Sequence, residues 1–316
     1  MSRSGVCMVT GANGFVGAAV LAALRQARVP AVGVARRPER GGNCVRGPSL
    51  DGGSNWSRVL ESCGAVVHTA ARVHVMGDPA SDPLGAFRAV NVAGSLNLAR
   101  QAAVAGVRRF VFVSSVKVNG EHTPPGRPFS EADDPSPLDA YAISKAEAES
   151  GLKRIATETG MEVVIVRPPL IYGPGVKANF LSMMRWLRRG FPLPLGAVEH
   201  NRRSLVALDN LVDLIVTCIE HPAAANRTFL VSDGEDISTA DLLRRLAAAM
   251  GLRARLLPVP VKMLEAGAAL CGKRAMMQRL CGNLQVDISH TCEVLGWGPP
   301  ISVDEGLRRA AAGFER

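Results

Sequence analysis

Aromatic residues are scarce, 4% of a 316-residue chain, and the 37 lysines and arginines are not interleaved with them. A net charge of +9 suits polyanions, but nucleic-acid surfaces pair basic patches with stacking platforms, so no nucleic-acid partner is expected. The excess equally suits a pocket for a small phosphate-rich ligand, or a solvated basic surface. No apolar run approaches the roughly 20 residues that span a bilayer. The nearest, residues 211–219 and 264–271, read as parts of packed helices, so no stable membrane insertion is expected. The amino terminus lacks the charged start, apolar stretch and small-residue cleavage site of a signal peptide, and runs straight into an apolar strand, which points to a cytoplasmic protein. The seven cysteines are odd in number, scattered and without a CxxC pair, which disfavours a disulfide framework or a zinc site; no metal is expected. Internal repeats and low-complexity tracts are also absent.

What is present is a rhythm. Short apolar runs at residues 6–9, 31–34, 65–68, 109–113 and 162–166 alternate with helical patterns at 16–27, 86–105 and 141–157. This predicts an α/β fold, a Rossmann-type doubly wound parallel sheet. Beyond Arg167 a Pro/Gly-rich loop gives way to a basic amphipathic helix over 178–190. Strand pieces (204–207, 228–231) mixed with helices (210–220, 239–250, 303–312) then predict a smaller mixed α/β carboxyl-terminal lobe. The boundary falls as residues 1–168, a dinucleotide-binding domain, and 169–316, a substrate-binding lobe. Ligands should gather at the carboxyl ends of the strands.

Three motifs carry chemistry. Gly11, Gly14 and Gly17 follow the first strand and open the first helix. Glycine lets the backbone turn tightly and approach a diphosphate, whose charge meets free N–H groups at the positive end of the helix. At the end of the second strand, where NAD-binding folds usually hold the ribose with a carboxylate, stand Ala35, Arg36 and Arg37. Two guanidinium groups there pair well with a 2′-phosphate, which favours NADP(H) over NAD(H); the alternative is that they only begin a solvated loop. Ser114 and Ser115 end the fourth clear strand, and Tyr141 and Lys145 share one face of a helix. A tyrosine whose pKa is lowered by a nearby ammonium can serve hydride transfer to a ketone as proton donor, with Ser115 orienting the oxygen.

These segments, together with residues 91–97 and 167–175, resemble the extended short-chain dehydrogenase/reductases, the NAD-dependent epimerase/dehydratase family. The resemblance implies that the loop residues Gly11, Asn13, Gly14, Phe15, Val16 and Gly17, with Ala70, Ala71 and Pro168, line the dinucleotide. It implies that Asn91 supports the cofactor-site helix, and that Ser115, Tyr141 and Lys145 form the catalytic triad, Lys145 also binding the nicotinamide ribose. Ser115, Asn179 and Arg203 would contact a UDP-linked sugar, Asn179 and Arg203 at its diphosphate; each of these two reads alternatively as a helix cap or a surface charge. Family 4,6-dehydratases carry an acidic pair after the strand-end serine or threonine, where this chain has Val116 and Lys117, which disfavours that reaction. Arg279 matches a nucleotide-gripping arginine of the epimerases poorly.

The segments at 114–120 and 68–74 resemble bacterial surface-polysaccharide (O-antigen) enzymes that reduce UDP-4-keto-6-deoxy-N-acetylhexosamines at carbon 4, forming products such as UDP-N-acetylquinovosamine. This ketoreductase is the expected function. The alternative is a UDP-hexose or UDP-N-acetylhexosamine 4-epimerase, and a non-catalytic dinucleotide sensor is the reading from another class. The resemblance also implies a homodimer through a helix bundle. His68 and His74 read first as packing or loop residues, and only secondarily as pocket residues.

Overall fold

A computed structural model describes residues 5–38, 44–73, 82–272 and 274–314. Seven strands form one sheet: β1 (Val6–Thr10), β2 (Ala31–Ala35), β3 (Cys44–Arg46), β4 (Cys63–His68), β5 (Arg109–Val113), β6 (Glu162–Arg167) and, further along the chain, Thr228–Leu230. Three more strands form a small mixed sheet in the carboxyl-terminal lobe: β7 (Leu170–Tyr172), β8 (Arg203–Ala207) and β10 (Asp236–Ile237), with Thr228–Leu230 numbered β9. The order in the large sheet is β3-β2-β1-β4-β5-β6-β9, and every pairing is parallel.

Apolar residues run continuously through β1, β4, β5 and β6 because both faces of the sheet are covered, as a parallel sheet requires. Side chains alternate between the two cores. Cys7, Val9, Val67, Val111 and Val164 face the helices Phe15–Gln26 and Leu208–Glu220, whereas Met8, Val66, Phe110, Phe112 and Ile165 face Ser95–Val104 and Ala140–Thr159. A third core, with Tyr172, Phe180, Met184 and Leu246, holds the carboxyl-terminal lobe together. The sequence assigned 228–231 to that lobe. Its strand is instead the last of the large sheet, Val166 pairing Phe229, because Phe229 is fully buried on the face covered by Leu208–Glu220.

The chain winds outward from β1 through β2 to β3, then returns to place β4 on the other side of β1. This reversal opens a crevice at the carboxyl ends of β1 and β4, where Thr10 pairs with His68. The loops after β1, β4, β5 and β6 all leave the sheet on that edge. Among the described residues no helix is long and apolar enough to cross a membrane.

Candidate functional site

At the first of these loops Gly11 adopts φ +66°, and the Gly14 amide donates to its carbonyl at 2.8 Å. A Cβ on Gly17 would lie 2.3 Å from that carbonyl oxygen, and one on Gly11 would lie 2.9 Å from the Ala70 amide nitrogen. The chain can pass here only without side chains. Gly14 begins the helix Phe15–Gln26 with no side-chain cap, so first-turn N–H groups stay open toward the crevice, as a diphosphate requires. Asn13 and Gly14 are exposed, Phe15 and Val16 half-buried, and Ala70 and Ala71 line the facing wall half-buried after β4. The residues present therefore fit a dinucleotide.

Asn91 sits in a π-helical turn, Arg88–Gly94, almost fully buried. Its amide nitrogen donates to the Arg72 carbonyl and to Ser144 Oγ, each at 3.0 Å, and its Oδ1 accepts from the Arg72 amide at 2.8 Å. Ser144 Oγ in turn donates to the Tyr141 carbonyl at 2.7 Å. Asn91 thus locks the loop after β4 to the helix that carries Tyr141 and Lys145.

That helix, Ala140–Thr159, starts where Asp139 accepts from the Ala142 amide at 2.7 Å and ends at Gly160 in the left-handed conformation. Lys145 is buried, donates to the Val113 carbonyl at 2.8 Å and lies 4.2 Å from the centre of the Phe112 ring. Val113 ends β5 two residues before Ser115, whose Oγ accepts from the Lys117 amide at 3.2 Å. The tie between Lys145 and the strand end brings the Tyr141/Lys145 face of the helix against the Ser114/Ser115 turn. The Tyr141 ring meets Phe87 edge-on at 6.0 Å. The chain's other tyrosine, Tyr172, is tied to Asp233 at 2.7 Å inside the carboxyl-terminal lobe.

Burial, reinforced by Asp139, pushes the Tyr141 phenol up to about 12. The lowering expected from a neighbouring ammonium is not what this arrangement produces, because burial also pushes Lys145 down to about 7, against the pull of Glu149. His68 is a packing residue: fully buried, it shares hydrogen bonds with Thr10 Oγ1 at 2.7 Å and Ser95 Oγ at 2.9 Å. Burial, and secondarily Lys145, lowers its pKa to about 3. His74 lies outside the described residues.

Beneath Ser115, Tyr141 and Lys145 runs a buried network that the motifs did not reveal. Glu149 accepts from Ser114 Oγ at 2.5 Å and pairs with Arg167 at 2.6 Å, while Arg167 also donates to Asn119 Oδ1 at 3.0 Å. The available signal was spacing: Glu149 follows Lys145 by four residues, which puts a carboxylate on the helix's inner face. Pro168, just beyond Arg167, is buried and accepts from the Val116 amide at 3.0 Å.

The expected substrate residues stand in the other lobe. Arg203 opens β8, donates to the Gly282 carbonyl at 3.1 Å, and has its pKa lowered by burial and then by Arg279. Arg279 pairs with Glu121 at 3.6 Å, Glu121 with Lys117 at 2.9 Å, and Lys117 with Asp139 at 2.5 Å. A line of charges thus connects Arg203 to the cap of the Tyr141 helix. Asn179 is exposed in the first turn of the helix Ala178–Arg189.

Residues 7–232 match the model of the NAD dependent epimerase/dehydratase family. The chain belongs to that family. It is 47% identical over 310 residues to a UDP-glucose 4-epimerase of Vibrio cholerae, covering 97% of this chain and 94% of the relative. Among solved structures, a short-chain dehydrogenase/reductase superfamily protein of Agrobacterium tumefaciens with bound NAD is 25% identical, covering 98% and 97% of the two chains with a TM-score of 0.76. MoeE5 in complex with UDP-glucose and NAD is 24% identical, covering 99% of each chain with a TM-score of 0.75.

The preference for NADP(H) read from Arg36 and Arg37 is corrected by these comparisons, since the Agrobacterium tumefaciens relative holds NAD. The structure supplies the physical reason. Arg36 and Arg37 are exposed in the bend after β2, and the contact that reaches the glycine loop is the Arg37 backbone carbonyl, which accepts from Asn13 Nδ2 at 3.3 Å. They form the solvated loop that stood as the less favoured reading of the sequence.

Proposed function

We propose that this protein is a UDP-hexose or UDP-N-acetylhexosamine 4-epimerase working with NAD, the dinucleotide on residues 1–168 and the sugar nucleotide under residues 169–316. The identity with the Vibrio cholerae UDP-glucose 4-epimerase over nearly the whole of both chains carries the reading. The site agrees with chemistry confined to carbon 4. Val116 is buried and Lys117 is neutralised by Asp139 and Glu121, so the positions after the strand-end serine offer no acid/base pair for eliminating water.

Bound at the glycine loop, with Lys145 on its nicotinamide ribose, NAD supplies the hydride acceptor and donor. As a phenolate, a form that the positive charge of bound oxidised NAD would favour, Tyr141 would take the proton of the sugar's 4-hydroxyl as the C4–H bond breaks, and return it to the oxygen after the 4-keto sugar has turned its other face. Ser115 holds that oxygen in place, and Arg203 and Asn179 hold the diphosphate while the sugar turns. Asn91 and the Glu149–Arg167 pair keep the catalytic helix and the strand end in register.

The test is to incubate the purified protein with UDP-glucose, or with UDP-N-acetylglucosamine, and a trace of NAD, separating the nucleotide sugars by chromatography. Interconversion of the C4 epimers without net change in nicotinamide absorbance is the expected outcome. Stoichiometric consumption of reduced nicotinamide with a UDP-4-keto-6-deoxy-N-acetylhexosamine, and no epimer formed, would establish the ketoreductase instead.

A further inference from the structure

The chain's charge is not evenly spread. Residues 177–198 and 250–281 contain ten basic side chains and one acidic one, Glu265, a balance of +9 that equals that of the whole protein. The remaining residues are neutral in sum. The structure brings the two segments side by side in the carboxyl-terminal lobe: Leu193 pairs with Leu256, its amide donating to the Arg255 carbonyl and its carbonyl accepting from the Leu257 amide, both at 2.8 Å.

Among the described residues, the same two segments carry most of the large apolar side chains left in water. Trp186 is 50% exposed, Phe191 63%, Leu257 50%, Met263 65% and Leu270 90%. The helix Val261–Leu270 shows why this differs from ordinary scattered exposure. One side, Val261, Leu264 and Ala268, is turned to the lobe. On the other side Met263, Ala266, Gly267 and Leu270, spaced i, i+3, i+4, i+7, form an apolar stripe that is exposed throughout. A surface helix ordinarily keeps its apolar residues on one side, toward the core, and this one carries a second set toward water. The sequence reading of 264–271 as a packed helix therefore holds for one face only. The exposed cations Arg185, Arg189, Arg253, Arg255, Lys262 and Arg274 stand in or beside the same two segments as this stripe and the aromatic residues Trp186 and Phe191.

We propose that this face is a peripheral docking site for an anionic lipid surface, with Met263, Leu270, Leu257, Phe191 and Trp186 seated among the acyl chains and the arginines and lysines on the headgroup phosphates. Apolar anchors bordered by cations on a surface helix are the combination that binds in a membrane interface without spanning it. A second copy of this chain is the poorer occupant, because a twofold contact would press one cationic face against another. A nucleic acid would satisfy the cations and leave the aliphatic stripe without a partner.

Co-sedimentation of the full-length protein with vesicles of phosphatidylcholine alone, and of phosphatidylcholine with one-quarter phosphatidylglycerol, tests this. Binding is expected to the anionic vesicles and not to the neutral ones, and to weaken as salt is raised. A Met263→Gln/Leu270→Gln variant removes the stripe without altering the charge. It should bind anionic vesicles about tenfold or more weakly, while its thermal melting and turnover stay those of the parent. Equal binding to neutral vesicles, no binding to anionic ones, or undiminished binding by the variant would each overturn the proposal. So would a concentration-dependent dimer that the same double substitution dissolves, or DNA binding as tight as vesicle binding.

Discussion

His68 offers a measurement whose size follows from the structure. A histidine free in water titrates near 6.5, but in the folded protein burial and the Lys145 charge hold this one down to about 3. Above the unfolded value both states are neutral, and His68 leaves stability independent of pH. As the pH falls through 6.5 toward 3, the unfolded chain takes up a proton that the folded one refuses, so stability is lost. At pH 5 the unfolded imidazole lies about 1.5 pH units below its midpoint while the folded one is still neutral, and at about 1.4 kcal/mol per unit the loss is about 2 kcal/mol. Urea unfolding followed by tryptophan fluorescence at pH 8 and pH 5 measures it, with His68→Gln as the reference. The glutamine lowers stability at both pH values by forfeiting buried hydrogen bonds, about 1–3 kcal/mol, but it cannot titrate. The parent should therefore lose about 2 kcal/mol more than the variant between the two pH values, other titrating groups cancelling in the difference. Equal losses would show that His68 is not held neutral, and the account of the pocket beneath the triad would fall.

Other consequences are equally direct. Tyr141→Phe should retain UDP-sugar binding by calorimetry but lose about 10²–10⁴-fold in turnover, the usual scale for a positioned proton-transfer group; unchanged turnover would remove it from the chemistry. Glu149→Gln leaves the Arg167 guanidinium without its charge partner in a site almost closed to water, and should cost about 3–5 kcal/mol in chemical denaturation; a loss under 1 kcal/mol would mean that water reaches the pair. Gly17→Ala forces a methyl to 2.3 Å from the Gly11 carbonyl oxygen. NAD binding, read by fluorescence quenching, should be lost while far-ultraviolet dichroism stays native. Arg203→Ala should raise the KM for the UDP-sugar about tenfold or more, the worth of a charged hydrogen bond to a diphosphate, with kcat little changed; an unaltered KM would leave it to the Gly282 contact alone.

How legible the protein was in its sequence differs by feature. Strands β1, β2, β4, β5 and β6 were evident because parallel strands buried on both faces are written as unbroken apolar runs. The strands missed, Cys44–Arg46, Leu170–Tyr172 and Asp236–Ile237, are two or three residues long. They are made by a neighbour's hydrogen bonds rather than by a pattern of their own. The glycine loop and the Tyr141/Lys145 spacing were legible because their chemistry is local: a few residues, close in sequence, determine the turn and the helix face.

Tertiary structure alone decided what depends on distant partners. Glu149, Arg167, Ser114 and Asn119 are unconnected in the sequence until folding places them in one dry space, where an unpaired charge is costly and each must satisfy the others. The proton affinities of Tyr141, Lys145 and His68 are set by burial, which motif spacing does not encode. Arg36 and Arg37 show the reverse limit. The sequence placed two cations after β2, but whether a guanidinium or a backbone carbonyl turns toward the glycine loop is a matter of packing. Likewise the sequence held ten cations and one carboxylate in two separate segments, and only the pairing of Leu193 with Leu256 brought them side by side. Local patterns determined the scaffold and the positions of Ser115, Tyr141 and Lys145; long-range packing determined their charges and their neighbours.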